Sequence, residues 1–316
     1  MQNNLGYACI NMTLRKDKIT TNRRCIKRTF DEKGLPHVSQ LILQNVTDLV
    51  TIIQWNHDNG IKAFRMSSSI IPWYSEFEIE DLPDSDAIIH ALKTAGNLAT
   101  KYGQRLTFHP GQFCVLASPT QSIVDKSIIE LDNHAKIMDY MGLSKTPYNK
   151  INIHVGGAYG DKDAALERFC NNFKSLQTST QQRLTVENDD KGNMYSVKDL
   201  YYGVYGIIGI PIVFDYHHHK FCTGGLSEQE ALELALKTWP DGVKPCTHYS
   251  EGRDIEYAMN GIEERVIPQA HSDYIYNEIN TYGHSFDIMV ESKAKELTIQ
   301  KYREKTLANQ KDLLYS

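Results

Sequence analysis

The chain has 316 residues, of which 41% are apolar and 23% charged, with a formal net charge of −5. These proportions exclude a disordered, collagen-like or disulfide-dense chain, and the length suits one large α/β barrel or two ordinary domains. No apolar run approaches the roughly 20 residues of a membrane span, and the mild acidity gives no general nucleic-acid signal, although a local basic strip or bound cations would override it.

Short apolar runs alternate with longer amphipathic stretches along the chain. The first run, Leu5–Asn11, is followed by a basic stretch, Arg15–Arg28, in which Arg15, Lys16, Lys18, Arg23, Arg24, Lys27 and Arg28 face the single acid Asp17. A predicted helix over Leu41–Asn59 leads to the run Ala63–Ser68, and one over Ser85–Tyr102 leads to Arg105–Pro110. Helical spacing over Gln121–Met141, Lys162–Leu176, Val197–Ile208 and Ser227–Thr238 separates the next runs, Lys150–Val155, Arg183–Glu187, Pro211–Tyr216 and Val243–Tyr249. The last run is Phe286–Glu291, and a charged helix, Lys293–Leu314, is expected on the outside. Buried strands alternating with helices imply a parallel sheet. Eight such units predict an α/β fold, a single (β/α)8 TIM barrel, with residues 1–316 forming one domain. The cysteines Cys9, Cys25, Cys114, Cys170, Cys222 and Cys246 form no CxxC pair, and no signal-peptide pattern opens the chain. Reduced thiols and an intracellular setting are expected.

Six consecutive runs end in His, Asp or Glu: His109, His154, Glu187 with Asn188, Asp189 and Asp190, then Asp215 with His217, His218 and His219, then His248, and finally Glu291. A lone strand-end His is more often a hydrogen-bonded structural residue than a ligand. Six on neighbouring strands of a closed barrel must converge, and buried carboxylates that converge repel one another unless a cation lies between them. The set predicts a multinuclear site for divalent metal at the barrel mouth. Imidazole mixed with carboxylate suits Mn²⁺, Zn²⁺ or Fe²⁺ better than a structural Zn²⁺ site or Ca²⁺. On the sixth run, two-residue alternation puts Asp215, His217 and His219 on one face; if the strand ends near Tyr216, either side can bind, and spacing alone does not choose. His57, His90, His134 and His284 fall in helical or loop patterns and are read as structural or exposed. Clustered divalent ions suit phosphodiester hydrolysis. The Arg15–Arg28 strip would then hold phosphates, with a solvated basic loop as the bland reading. Tyr7, Trp73, Tyr74 and Phe113 fall near strand ends and could stack on bases, although each alone is more often packing.

Ordered blocks along the chain then carry a resemblance. They are Gly6-Tyr7-x-x-x-Asn11 with Thr20-Thr21-Asn22-Arg23, Arg65-x-Ser67-Ser68-Ser69-x-x-Pro72 and Phe108-His109-Pro110-Gly111-Gln112-Phe113. They continue with Asn152-Ile153-His154-x-Gly156-Gly157-Ala158-Tyr159-Gly160, Glu187-Asn188-Asp189-Asp190-Lys191 and Phe214-Asp215-x-His217-His218. The last are His248-Tyr249-Ser250, His271-Ser272-Asp273-Tyr274 and Glu291-x-Lys293. From about Leu5 to Glu291 the chain resembles the UV damage endonucleases, ATP-independent enzymes that nick DNA beside photoproducts.

The resemblance implies a barrel similar to that of endonuclease IV, holding up to three divalent metal ions, often manganese. It puts the ligands on His109, His154, Glu187, Asp215, His218, His248, His271 and Glu291, selecting His218 over His217. Of these, Glu187, Asp215, Glu291 and His248 are the expected catalytic residues. Tyr7, Gln112 and Phe113 match residues that probe damage, and Asn11 and Arg23 complete the expected DNA-contacting set. The implied partner is damaged double-stranded DNA, bound by a monomer with no membrane association. The implied reaction is incision immediately 5′ of the lesion, leaving a 3′-hydroxyl and a 5′-phosphate.

Two positions depart from the family pattern. Glu76 stands where the family has a His, and can offer a carboxylate oxygen to a hard cation. Cys246 stands where the family has a carboxylated Lys; Lys244, two residues earlier on the same face, lies about 6.6 Å further from the mouth and is not expected to substitute. As a thiolate Cys246 would suit Zn²⁺; otherwise it is a small buried residue. Two other readings compete: a metal-dependent sugar isomerase built on the same kind of barrel, and a damage-binding protein that has lost catalysis through Glu76 and Cys246.

Overall fold

Each apolar run contributes a strand, and every pairing between named strands is parallel. The structure, a computed structural model, describes residues 3–315. The strands are shorter than the runs: β1 (Leu5–Ala8), β2 (Ala63–Arg65), β3 (Arg105–Thr107), β4 (Ile151–Ile153), β5 (Leu184–Glu187), β6 (Ile212–Val213), β7 (Cys246–Tyr249) and β8 (Asp287–Val290). One sheet has the order β3-β2-β1-β8-β7 and the other β4-β5-β6. Single parallel bridges, Phe108 to Ile151 and Asp215 to His248, join the two arcs. The result is a parallel α/β sheet of the TIM-barrel kind, with the strand-end residues of the sequence all on its C-terminal side. Trimming is physical: where a strand end turns outward to present a side chain, its backbone leaves the ladder.

The helices follow the sequence pattern with local corrections. A short α1 (Met12–Arg15) is capped by Asn11, and α2 (Lys27–Asp58) begins well before the predicted Leu41. The early part was hidden because Lys27–Lys33 carries no apolar periodicity, and Gly34 (φ 61°) then breaks the helix just before Pro36. Beyond the break, Val38, Ile42, Val46, Leu49 and Ile53 recur at helical spacing and are buried. Next come α3 (Ser85–Tyr102), α4 (Gln121–Tyr140), α5 (Lys162–Phe173) and α6 (Thr178–Gln181). The predicted Val197–Ile208 helix is three pieces: α7 (Val197–Leu200), a π turn at Tyr201–Tyr205 and α8 (Gly206–Ile208). Then follow α9 (Tyr216–His219), α10 (Glu228–Leu236), α11 (Arg253–Met259) and α12 (Glu296–Tyr315).

Opposite the mouth, the floor of the sheet is charged but paired. Arg105 is fully buried with its Nε 3.2 Å from Asp287 Oδ2, and Lys244 Nζ lies 2.7 Å from Asp287 Oδ1. Lys244, read from the sequence as lying away from the mouth, is engaged here in this ion pair. Among the described residues, no helix is long and apolar enough to cross a membrane.

Candidate metal centre

The carboxylate of Glu187, at the end of β5, is the hub. His109 Nε2 lies 3.0 Å from its Oε2, His248 Nδ1 3.1 Å from its Oε1, His218 Nδ1 3.5 Å from Oε1 and His154 Nε2 3.9 Å from Oε2. Asn152, two residues before His154 on the same face of β4, donates its amide to Oε2, while Thr185 Oγ1 holds the Asn152 carbonyl at 2.8 Å. Glu291, just past β8, is reached by His248 Nδ1 at 3.2 Å and paired with Arg65 at the end of β2. His271 sits on an antiparallel bridge to Gly252, and its ring is 5.3 Å from that of His217. The chain turns sharply after His154: Gly156 has φ +101°, and a Cβ there would stand 2.0 Å from Val115 Cγ1, so only glycine lets that loop close.

The sixth strand decides between the histidines. It ends at Val213, and Asp215 caps the single turn α9 by accepting from His218 N at 2.8 Å. Helical rather than strand spacing therefore governs Tyr216–His219. The alternation argument for Asp215, His217 and His219 is corrected. His218 turns toward Glu187, with its ring 5.5 Å from that of His154, whereas His217 Nε2 turns away to Gln269 O at 3.3 Å.

The electrostatics fit a cation. His109 holds Nδ1 against Pro110 O at 3.0 Å, which leaves Nε2 as the free lone pair in a neutral ring. His218 Nδ1 lies 2.9 Å from Asn188 O, and against burial Asp215 and Glu187 push that ring up to about 9. For His109 that lone pair faces a carboxylate oxygen, an arrangement of two acceptors that needs a proton or a metal between them. Asp215 Oδ2 is buried without a hydrogen-bond partner. Burial, opposed by His218 and reinforced by Glu187 and Glu291, pushes the Asp215 carboxyl up to about 7. Burial works to lower His154, but Glu187, Asp189 and Asp215 outweigh it and push it up to about 10. Two groups of donor atoms, His109–His154–Glu187 and Glu187–Asp215–His248, lie with all members within 4.8 Å of one another. Shared Glu187 makes them adjacent.

Several expected residues do not join this assembly. Glu76 is exposed in the wall of a cavity of about 620 Å³ that is also lined by Tyr74, Glu130 and His134, and it belongs to neither donor group. Cys246 is fully buried among Ala63, Val213, Trp239 and Met289, and behaves as a small apolar residue. Tyr7 and Asn11, expected to touch DNA, are both buried in this structure. Tyr7 is fully buried, its hydroxyl donates to Asn56 Oδ1 at 2.8 Å and accepts from Asn11 at 2.9 Å, and no ring face is left for a base. Asn11 spends its other amide atom capping α1. Arg23 is likewise engaged, 2.7 Å from Asp48 and donating to the carbonyls of Thr20 and Lys18, so it braces the basic loop. Lys27 and Arg28 pair with Asp31 and Glu32 along α2. Trp73 stacks on Phe30 at 5.3 Å and donates to Cys25 O.

Gln112 and Phe113 remain available. They form the tip of a turn closed by Cys114 N to Gly111 O at 3.0 Å, and Phe113 is 82% exposed. The turn is pinned from behind, where Val115 N donates to Ser127 Oγ on α4. Two site residues were not singled out from the sequence: Arg65 and Lys150. Lys150 is fully buried, with Nζ 2.9 Å from His248 Nε2, and burial pushes its ammonium down to about 8. A signal for it existed, because Lys150, Asn152 and His154 follow strict two-residue alternation.

A TIM-barrel-like parallel sheet with imidazoles and carboxylates gathered on its C-terminal side defines the class, an α/β-barrel type of enzyme with a metal-donor set. The profile of the family described as UV-endonuclease UvdE matches residues 3–313, and the chain belongs to that family of DNA repair endonucleases. It is 37% identical over 306 residues to the UV-damage endonuclease of Schizosaccharomyces pombe, covering 93% of this chain and 49% of that protein, so the chain spans about half the length of that relative. It is 34% identical to the UV DNA damage endonuclease of Clostridium perfringens, covering 93% of this chain and 68% of that one. The crystal structure of SacUVDE superposes with a TM-score of 0.79 and 32% identity, covering 94% of this chain and 95% of that one. The 3-keto-D-glucoside 4-epimerase of E. coli shares the fold alone, with a TM-score of 0.56 at 8% identity over 98% of this chain and 100% of that one.

Proposed function

We propose that this chain is a metal-dependent endonuclease that nicks damaged double-stranded DNA immediately 5′ of UV photoproducts, leaving a 3′-hydroxyl and a 5′-phosphate. In this reading residues 1–316 act as one complete (β/α)8 domain, a monomer inside the cell. Up to three divalent ions, manganese first and zinc or iron as alternatives, are held by His109, His154, Glu187, Asp215, His218, His248, His271 and Glu291. The observation that carries the reading is the Glu187 hub, on which four imidazoles converge.

When bound, such ions supply a hydroxide at neutral pH and neutralise charge on the phosphate. The chain's own groups do the rest. Glu187, Asp215 and Glu291 provide the anionic oxygens, and the backbone carbonyls behind His109 and His218 fix which ring nitrogen faces the centre. Asn152 and His248 hold Glu187 in one orientation. Arg65 sits on Glu291, where a guanidinium can also meet a phosphate oxygen. Gln112 and Phe113 present an amide and an exposed ring to the duplex, suited to occupying the space of a displaced base. The unpaired part of the basic loop, including exposed Arg24, is left for backbone phosphates.

The test is a nicking assay on irradiated and untreated duplex with added Mn²⁺, run beside metal analysis of the purified protein. Incision confined to irradiated DNA and abolished by a chelator is expected. Tight binding to irradiated duplex with no nicking at any metal would instead establish a damage-binding protein, and turnover of a ketose–aldose pair would establish a sugar isomerase.

A further inference from the structure

The cavity of about 620 Å³ beside the Gln112–Phe113 turn shares no residue with either donor group of the metal centre. Its volume lies in the range of small-molecule sites, roughly 300–1,000 Å³. One wall is the loop after β2, with Ser68 and Tyr74, and the other is α4, with Ile129, Glu130 and His134. Both walls hold the turn. Ser68 Oγ donates to His109 O at 2.8 Å, and Ser127 on α4 accepts Val115 N at 2.8 Å and the Cys114 thiol at 3.7 Å. Asn133 on α4 ties the walls together by donating to Tyr74 O at 3.1 Å. His109 sends its ring to Glu187 and its carbonyl to Ser68, so the segment that leads to Gln112 and Phe113 stands between the metal centre and the cavity. The cavity is rich in acceptors. His134 Nδ1 lies 2.6 Å from the carbonyl of Glu130, so the ring proton is there and Nε2 is an acceptor. Among the described residues, that Nε2 and the Tyr74 hydroxyl are buried without a hydrogen-bond partner. Glu76 and Glu130 add two carboxylates against one lysine, Lys126.

We infer that this cavity seats a purine of the uncut strand, the base opposite the photoproduct, extruded when Phe113 takes its place in the stack. Three observations point to that occupant. The strand that is cut presents its backbone to Glu187, on the other side of the turn, so a base reaching the cavity comes from the complementary strand. Photoproducts join pyrimidines, so the base across from them is a purine, whose exocyclic amine supplies the donor that the acceptors lack. Ile71, Ile129 and Ile137 give its flat faces apolar contact. An extruded base loses stacking and pairing, and a seat that recovers part of both lowers that cost. The inference rests on the nuclease reading for the presence of DNA, and adds to it a site for the strand that is not cut.

The test is nicking by the full chain, with Mn²⁺, of a synthetic duplex that carries one thymine dimer. Opposite the dimer stand two adenines or, in two further duplexes, an abasic site in place of one adenine or the other. Ile129 is exposed on α4, and Ile129→Trp fills the cavity from its rim. With unchanged Tm and metal content, the Trp variant is expected to lose about 10-fold or more in kcat/KM on the all-adenine duplex, the size of one lost base contact. On one of the two abasic duplexes it should match the wild type, because nothing is left to seat. Equal losses on all three duplexes, or no loss on any, overturn the inference. Glu130→Gln keeps the volume and removes an anionic acceptor; it is expected to show the same dependence on the opposite base, and it decides if the Trp variant does not fold. A wild-type chain that binds the dimer duplex without nicking it refutes the nuclease reading, and the same comparison in Kd then judges the seat. One that neither binds nor nicks refutes both.

Discussion

Glu187→Gln is the most direct perturbation of the proposed centre. The amide matches the carboxylate in shape and can still accept from Asn152, so the β5 terminus keeps its packing. What disappears is one negative charge that faces His109, His154, His218 and His248 at 3.0 to 3.9 Å. Two unit charges about 4 Å apart interact by about 4 kcal/mol at an effective dielectric constant of 20, and a divalent ion feels twice that before the amide dipole restores part of it. A net loss of at least about 2.7 kcal/mol of transition-state stabilisation is expected, or about 100-fold in incision rate. The assay is initial-rate nicking of irradiated supercoiled plasmid at saturating Mn²⁺, with elemental analysis of the same samples. Thermal stability in the metal-free state should fall, because, against burial, the imidazoles of His248, His154 and His109 hold the Glu187 carboxyl well below the usual carboxylate range, so its charge stabilises the fold there. A folded Gln variant with a full metal complement and a rate within about threefold of wild type would refute the hub assignment.

Four further outcomes follow from the geometry. Tyr7→Phe should cost about 1–3 kcal/mol in urea unfolding by orphaning Asn56, and Tyr7→Ala about 3–5 kcal/mol; a stable Ala variant that only lost lesion discrimination would restore Tyr7 to the DNA surface. Phe113→Ala should weaken binding to irradiated duplex by about 1–3 kcal/mol with no change in Tm, since this exposed ring supports no core. Arg24→Ala should lower the log–log salt slope of DNA binding by about 1, and an unchanged slope would return that stretch to a solvated loop. Burial pushes His134 from 6.5 down to about 4, so the folded protein keeps this ring neutral while the unfolded chain protonates it. Stability is full above pH 6.5 and is lost toward pH 4 by about 1.4 kcal/mol per pH unit, a slope that His134→Gln should reduce in pH-dependent melts.

The fold was legible because its signals are local and repeated. Runs such as Arg183–Glu187 and Val243–Tyr249 are apolar for a strand's length and separated by helical spacing, which a parallel sheet requires. Boundaries were less legible where polar sequence is helical for tertiary reasons. The Lys27–Lys33 part of α2 has one apolar residue, Phe30, which stacks on Trp73, and i,i+4 pairs such as Lys27 with Asp31, too little for a helical pattern of its own. The π turn at Tyr201–Tyr205 keeps the predicted extent of its helix but adds a residue to the turn, which periodicity averages away.

Site residues were legible as types at strand ends, but their aim was not, because aim is decided by turn chemistry after the strand has stopped. Asp215 shows the point. Strand alternation assigns His217 to the side of Asp215, yet Asp215 is itself an N-cap, and capping forces the next residues into a helical turn that swings His218 inward. Tyr7 shows the converse. An aromatic residue near a strand end reads as a surface for bases, but its hydroxyl finds Asn56 on α2, a pairing between residues 49 apart that no local pattern reveals. Lys150 lies between the two cases. Alternation places it under His154 and Asn152 on one face, and its neighbours Cys246, Glu187 and His248, all from other strands, are what the lysine meets at that depth. The three cases share a cause. A buried polar group is placed by the partner it must find, and where that partner comes from another element, sequence spacing fixes the face but not the contact.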